Sequence, residues 1–310
     1  MEALRSSNFL GIYGHTALDI IYNSDSFPEP NTCVEMKDRK EHFGGTGANI
    51  ARIASTLGVR TALASHVGDD FPKEFMAALK ASGVDTTDVV KVRGKRTSFI
   101  IMISDKDHNQ IGFVDQGAVL EQERLPIRTH TALSSKFVHI GTGRPSYALK
   151  VAKLAKRRKK TVAFDPAQEL SYVYTPETFK AVLEKSDILF ANSSELERAK
   201  TYLNIAEDPE LLSYVKMIVN TRGSEGSRIM TEDDEILVGM IQPDKVVDTT
   251  GAGDGFRAGF YAGLSKSLPI EECAWIGAAT ASFIVESVGA QSVLPTWDMV
   301  QRRASRRKCV

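Results

Sequence analysis

The chain has 310 residues, 42% of them hydrophobic, with 39 basic and 39 acidic side chains, enough apolar content for one large α/β domain or two smaller ones. The cancelled charge leaves no global field to draw in nucleic acid or an anionic membrane, so neither is an expected partner. Cys33, Cys273 and Cys309 are scattered, odd in number and form no C-x-x-C pair, which argues for a reduced compartment and against a disulfide framework or a zinc knuckle.

The start MEALRSSNFLGIYG carries an early acid, lacks a long apolar region and leads straight into a strand pattern, so it does not resemble a secretory signal. The most apolar stretch, IGAATASFIVESVGA, is broken by Glu286 and falls short of the ~18 residues of a membrane span. A cytoplasmic protein is expected.

Taken in chain order, short apolar runs rich in β-branched residues recur as FLGIYG, TALASHVG, FVHIG, VAFDP, DILFAN and MIVNTRG. Between them, GANIARIASTLG, DFPKEFMAALKASG and PETFKAVLEKS carry apolar residues at helical spacing. YALKVAKLAKRRKK suggests a further helix whose basic run, residues 156–160, lies on a solvated face. This alternation predicts an α/β fold with a parallel sheet and helices on both faces. Ligands of such sheets bind beyond the carboxyl ends of the strands.

Two stretches break the pattern. Residues 19–45 have no helical period, and residues 97–118, TSFIIMISDKDHNQIGFVDQGA, read as two strands joined by the turn DKDHN. Both suit a small β-layer, formed by roughly 16–43 and 96–117, that acts as a lid on a single domain spanning 1–310. An apolar lid edge would be able to pair with a second copy, so a homodimer through the lid is an expectation.

Several familiar motifs are absent. GKRT at 94–97 lacks the upstream glycine of a P-loop, H-E-x-x-H and G-x-S-x-G do not occur, and GGTGAN has Ile50 where a dinucleotide fingerprint needs its last glycine. What remains is a set of strand-end clusters. Asp19 follows the first strand, and Gly44, Gly45 and Asn49 open the first helix. An acid facing an amide and bare backbone N–H groups suits a cis-diol, although the same residues also satisfy a local turn. Asn192 and Glu195 in NSSE form a capping-box pair, or a carboxylate and amide able to hold Mg²⁺ near phosphates. Thr221, Gly223 and Gly226 in NTRGSEG make a turn, or let a nucleotide lie against the backbone.

The stretch DTTGAGDGFRAGF, residues 248–260, is the most informative. Gly251, Ala252 and Gly253 are all small, as a close-approaching group requires, and a helix N-terminus attracts anions. With a phosphoryl group on the amides of Ala252, Gly253 and Asp254, the Asp254 carboxylate would stand beside it and accept the proton of an attacking hydroxyl.

In this order the pieces resemble the ribokinase-like, or phosphofructokinase B, carbohydrate kinases. FGGTGANIARIASTLGV with SHVGDD is similar to the family's first motif and VVDTTGAGDGFRAGF to its second. GHTALDIIYN, HIGTGRP, FDPAQ and the C-terminal GAATASFIVESVGAQSVLPTWD are similar to the archaeal nucleoside kinases, whose GGAAAN is here GGTGAN. The resemblance implies a three-layer α/β/α fold with a mostly parallel central sheet and a small β-sheet lid. It also implies ATP, Mg²⁺ and phosphate transfer to the 5′-hydroxyl of a ribonucleoside, with Asp254 as base and the backbone of Gly251, Ala252 and Gly253 as anion hole. Asn192 and Glu195 match the metal and phosphate positions. Thr221, Gly223 and Gly226 match the adenine-nucleotide loop. Asp19, Gly44, Gly45 and Asn49 match the ribose site, with Asp165 in FDPAQ, Gln110 and Phe113 as further nucleoside contacts. A sugar kinase of the same family, acting on ribose, fructose or fructose 6-phosphate, is the nearer alternative; a non-catalytic nucleoside-binding regulator is the more distant one.

Overall fold

The computed structural model describes residues 7–106 and 110–307. The chain enters on β1 (Asn8–Tyr13), leaves the main sheet for β2 (Ala17–Asn23) and β3 (Lys37–Gly44), and returns through α1 (Thr46–Thr56), β4 (Thr61–Val67), α2 (Lys73–Ala81) and β5 (Asp85–Lys91). A second excursion follows on β6 (Ser98–Ser104) and β7 (Gln110–Asp115). The alternation then runs through α3 (His130–Ser134), β8 (Ser135–Ile140), α4 (Pro145–Arg157), β9 (Thr161–Phe164), α5 (Pro176–Leu183), β10 (Ile188–Asn192), α6 (Ser193–Leu203) and β11 (Met217–Thr221). A hairpin of β12 (Ser227–Thr231) and β13 (Glu235–Val238) precedes three helices, α7 (Ala252–Ser265), α8 (Ile270–Ile284) and α9 (Trp297–Ala304).

The main sheet has the order β13-β12-β11-β10-β9-β8-β1-β4-β5. It is parallel from β11 to β5 and antiparallel only at the β12–β13 edge. Successive strand residues point to opposite faces, so Phe190 joins the cluster under α1, α7 and α8 while Leu189 joins the one under α4, α5 and α6. The result is the expected three-layer α/β/α architecture. The strands that the sequence pattern did not reveal are at the sheet's two edges. DTTDVVK of β5, at one edge, is polar and half exposed, as an edge must be to resist pairing with other chains, while at the other end the edge strand β13 and its largely buried neighbour β12 are only four and five residues long.

β2, β3, β6 and β7 form a separate sheet in the order β3-β2-β6-β7, with β2 and β6 parallel and the outer pairs antiparallel. It leaves the carboxyl end of β1 and returns at the start of α1. Its inner end is pinned by Phe43, which stacks on Phe75 of α2 at 4.3 Å between ring centroids, while most of β3 is exposed. Residues 107–109 of the predicted turn DKDHN, and Cys309, lie outside the described residues.

In the main sheet the chain steps outward one way from β1 to β4 and β5 and the other way from β8 to β11, so β1 and β8 flank the point where strand order reverses. Loops diverge there and leave a crevice beyond the strand ends. The helix that closes this crevice is α7, and it is held by close packing on α8. Gly255, Gly259 and Gly263 recur every four residues along one face of α7. A Cβ on Gly259 would lie 2.7 Å from the Ile276 carbonyl oxygen and 2.9 Å from the Gly277 Cα, and one on Gly263 would lie 2.8 Å from the Cys273 Cα. Gly259→Leu would therefore force the two helices apart and is expected to destabilise the fold by at least about 1–3 kcal/mol. Urea unfolding of wild type and variant measures the difference.

Candidate active site

α7 starts on Gly251, whose φ of 79° is left-handed and favours glycine. A Cβ there would also meet Ala290, whose Cα would lie at 3.0 Å. The preceding loop is clamped by Asp248. Its Oδ1 accepts the Thr250 N–H at 2.9 Å, and its Oδ2 accepts the Gly289 N–H at 2.8 Å. The loops 248–251 and 285–291 are thereby tied together. In the first turn the Ala252 N–H donates to the Thr249 carbonyl at 3.1 Å. This corrects the expectation that Ala252 offers an open amide, because a tight turn at 249–252 consumes it. The first helical bond runs from the Gly255 N–H to the Gly251 carbonyl at 2.8 Å. The N–H groups of Gly253 and Asp254 have no carbonyl a turn earlier in the helix to bond, and such open amides at a helix start are of the kind that can hold an anion.

Asp254 follows in the same turn and is only 8% exposed. Its Oδ2 accepts the Asn49 Nδ2–H at 2.8 Å. Among the described residues, no protein donor reaches Oδ1. Burial pushes its carboxyl up to about 7. Arg257 and the Asn49 hydrogen bond oppose that rise, while Asp165 and Glu195 add to it.

Asp19 lies on β2 and is equally buried, and its Oδ1 has no hydrogen-bond partner. Any side chain on Gly44, in the paired strand, would run into this carboxylate. Burial first, then repulsion from Asp254 and Asp248, pushes Asp19 up to about 7 as well. Gly45 caps α1 with φ 86°, and the Asn49 N–H donates to its carbonyl at 2.9 Å. Asp19, Gly44, Gly45, Asn49 and the start of α7 thus converge on one crevice.

Asp165 ends β9, but both its oxygens face a protein cation. Arg257 Nη2 donates to Oδ1 at 2.8 Å, Arg257 Nε contacts Oδ2, and His139 Nε2 stands 3.4 Å from Oδ2. Burial would raise this carboxyl, yet Arg257 and His139 outweigh it and hold it below the usual carboxylate range. The expected nucleoside contact is therefore engaged as the counter-charge of a buried guanidinium one helical turn after Asp254. A Cβ on Gly253 would lie 2.5 Å from Arg257 Nη1, so the small residue in the motif also leaves space for this arginine.

Asn192 and Glu195 make the capping box. The Glu195 N–H donates to Asn192 Oδ1 at 2.9 Å, and the Asn192 N–H donates to Glu195 Oε2 at 2.8 Å. Burial and the nearby Asp165 push the Glu195 carboxyl up. Asn192 pairs with Thr221 in register at the ends of β10 and β11. Gly223 has φ 56° with open space around it, whereas Gly226 has φ 88° and backs onto the Val238 carbonyl of the edge hairpin. Phe113 is 58% exposed on the outer strand of the small sheet, opposite Ile101. Gln110 pairs with Ser104 through its backbone, and its side chain is outside the described residues.

Residues to which the sequence assigned no role are also here. Arg257 is signalled only by its three-residue spacing from Asp254, and Gln291 only by its place in GAQS. Thr46 Oγ1 lies 2.8 Å from Thr142 Oγ1, and the same Thr142 hydroxyl accepts the His15 N–H at 3.3 Å, which ties the loops leaving β1 and β8 to the start of α1.

The profile of the pfkB family carbohydrate kinases matches residues 8–297. The chain belongs to this family. As a pfkB carbohydrate kinase it is a phosphotransferase with an alcohol group as acceptor. This pfkB kinase is 40% identical over 296 residues to a nucleoside kinase of Methanocaldococcus jannaschii, with 95% of this chain and 96% of the relative covered. It is 36% identical to a nucleoside kinase of Methanothermobacter thermautotrophicus, with 93% of each chain covered. The crystal structure of the M. jannaschii nucleoside kinase matches with a TM-score of 0.91 at 39% identity, over 98% of this chain and all of that one. A Thermotoga maritima ribokinase shares the fold with a TM-score of 0.83 at 23% identity, covering 96% of this chain and 99% of that one.

The two carboxyls of this pfkB kinase that are pushed up to about 7, Asp19 and Asp254, carry a stability consequence. A carboxyl at about 7 in the folded state, against 3.8 as the ordinary value, favours folding when protonated, and that contribution is lost as pH rises through 7. Asp19→Asn removes one of the two charges. It is expected to raise the thermal unfolding temperature at pH 8, by at most about 4 kcal/mol in free energy, and to change little near pH 4. Thermal melts at the two pH values measure this.

Proposed function

We propose that the protein phosphorylates the 5′-hydroxyl of a ribonucleoside at the expense of ATP. The observation that carries the reading is a buried carboxylate, Asp254, with one oxygen held by Asn49 and the other open, in the same helical turn as two unpaired backbone amides. That is the arrangement phosphoryl transfer to an alcohol requires, since it is mostly positioning and charge stabilisation. The acceptor is taken as a nucleoside because two relatives above 35% identity are named nucleoside kinases. A relative 29% identical, from Thermococcus kodakarensis, is named cytidine kinase.

In this reading the unpartnered Asp19 carboxylate receives the ribose diol, and the bare backbone of Gly44 and Gly45 allows the sugar to lie close. The 5′-hydroxyl attacks the γ-phosphorus in line. As the new O–P bond forms, the bond to the bridging oxygen breaks, ADP leaves, and the hydroxyl proton passes to Asp254. A carboxyl near 7 is matched to that transfer at neutral pH. The amides of Gly253 and Asp254 hold the migrating phosphoryl oxygens. Thr221, Gly223 and the strand end at Asn192 flank the nucleotide, where the open space at Gly223 suits close approach. The small sheet serves as a lid that excludes water.

Mg²⁺ fits these residues. It keeps several waters and takes only one or two carboxylates beside phosphate oxygens. Glu195 has Oε2 committed to its capping box, with Oε1 left over. No group of three or more His, Cys, Asp or Glu set to hold a metal occurs among the described residues. Glu195 would hold the ion through Oε1 or a bridging water, and the ion would neutralise charge on the β- and γ-phosphates.

Asp254→Asn is expected to lower kcat about 10²–10⁴-fold while leaving the nucleoside KM near normal; turnover that barely changes would remove Asp254 as the base. Because the base must be unprotonated, kcat/KM of the wild type is expected to fall as pH drops below about 7. Inosine, guanosine, cytidine, adenosine, ribose and fructose 6-phosphate, each with ATP and Mg²⁺, test the acceptor. Phosphorylation of the free sugar or sugar phosphate alone would overturn the nucleoside assignment.

A further inference from the structure

Asn49 faces the catalytic carboxylate with an amide, and an amide has two different ends. Which end it presents decides whether Asp254 is helped or hindered in its charged form. The chain of contacts behind Asn49 sets that polarity. Ser82 at the end of α2 donates its hydroxyl hydrogen to the Ala78 carbonyl at 3.0 Å, so its oxygen is left to accept from Arg52 Nε at 3.2 Å. Arg52 has donors only. Its Nη1 donates to Gln291 Oε1 at 3.0 Å. With its oxygen taken, Gln291 presents Nε2, which donates to Asn49 Oδ1 at 2.7 Å. Asn49 in turn has only Nδ2 left for Asp254 Oδ2. Arginine cannot accept, so every link has one permitted direction, and an amide drawn the other way round would put oxygen against oxygen or NH₂ against a guanidinium.

We infer that Arg52 and Gln291 are positioning residues that lock the Asn49 amide with its NH₂ toward Asp254 Oδ2, and that Oδ1 is therefore the oxygen that takes the hydroxyl proton. Neither touches the reacting atoms. Arg52 lies on α1 one turn beyond Asn49. Gln291 belongs to the loop that Asp248 clamps to the start of α7 through Gly289. The relay thus joins four separate parts of the chain, α1, the end of α2, the 285–291 loop and the start of α7, and it gives a purpose to Gln291 beyond filling space. A proton on Oδ2 would face the Asn49 NH₂ hydrogens, so the locked amide both keeps the charged form available and restricts protonation to the open side. The other charged groups around Asp254 are Arg257 on its own helix, Asp165 after β9, Glu195 on α6 and Asp19 on β2. None of them is altered by substitutions at 52 or 291.

The inference rests on the proposed role of Asp254, and the test separates the two. Gln291→Glu keeps the shape of the side chain but offers Arg52 and Asn49 only acceptors. The Asn49 NH₂ then turns toward residue 291 and its Oδ1 toward Asp254. Loss of a donor to the carboxylate raises the pH at which the base protonates, so the acid limb of the kcat/KM profile is expected to move up by about one pH unit. Gln291→Met, which frees the Asn49 amide without reversing it, is expected to give a smaller upward shift, and Arg52→Met the same. Arg52→Lys, which still donates, is expected to bring the limb back toward wild type. In the uncharged Gln291→Met, a structural role alone would lower the unfolding temperature or the rate without moving the limb. Because Gln291→Glu adds a charge and Arg52→Met removes one, the neutral Gln291→Met decides: an acid limb at the wild-type pH in that variant overturns the inference, and if it does not fold, an unmoved limb in Gln291→Glu does so instead. An Asp254→Asn enzyme that keeps its rate would instead overturn the parent reading, whatever the 291 variants do.

Discussion

Burying one carboxylate at the start of α7 is the constraint on which the rest of the site depends. Taking Asp254 out of water disfavours its charge strongly. Left uncompensated, it would stay protonated and useless as a base; fully neutralised by a direct ion pair, it would bind protons too weakly to accept one. The structure holds it between these limits. Arg257 is close enough to oppose the effect of burial but is committed to Asp165, and the only direct partner among the described residues is the Asn49 amide. The carboxyl therefore rests near neutrality instead of at either extreme.

Everything that fixes α7 serves this balance. Small residues every four positions let α7 lie against α8 at a distance that larger side chains forbid. Asp248 ties the loop before α7 to the segment after α8, and Gly251 supplies the left-handed turn between them. Ala252 spends its amide on that turn. Two amides remain open, on the same helical turn as the carboxylate, so the negative charge and the proposed anion site share one turn without occupying the same atoms.

The second constraint is topological. β1 and β8 part company at the centre of the sheet, and the loops that leave them are bridged by Thr142, His15 and Thr46. From this point β2 carries Asp19 over the crevice, backed by a bare Gly44. A carboxylate with a buried, unpaired oxygen is costly to a resting fold. It is explained most simply as a group reserved for a donor that arrives from outside, and the small sheet that delivers it is anchored only at its inner end.

Much of this was legible in the sequence because local rules govern it. Strand and helix alternation follows from apolar period, and the runs from FLGIYG to MIVNTRG are buried strands whose hydrophobic content leaves few alternatives. The strand β5 was hidden because its edge position makes it polar, which erases the signal that identifies a strand, and β12 and β13 were hidden because runs of five and four residues are too short to show a period. The glycine-rich turn with its single acid, the capping pair Asn192 and Glu195 and the diol-like grouping around Asp19 and Asn49 could all be named from types and spacing. Spacing could not tell that Ala252 turns its amide inward, that Asp165 answers Arg257, or that Gln291 stands behind Asn49. The first is a choice of turn that many sequences allow, and the other two are contacts between residues 92 and 242 positions apart, whose partners are set by where the layers of the sheet place them. The sequence by itself determined the fold class and the chemical inventory, since both are written in composition and local period. Only the tertiary structure decided which carboxylate is buried beside which cation and which end of an amide it meets, because desolvation and hydrogen-bond direction exist only once distant segments are packed together.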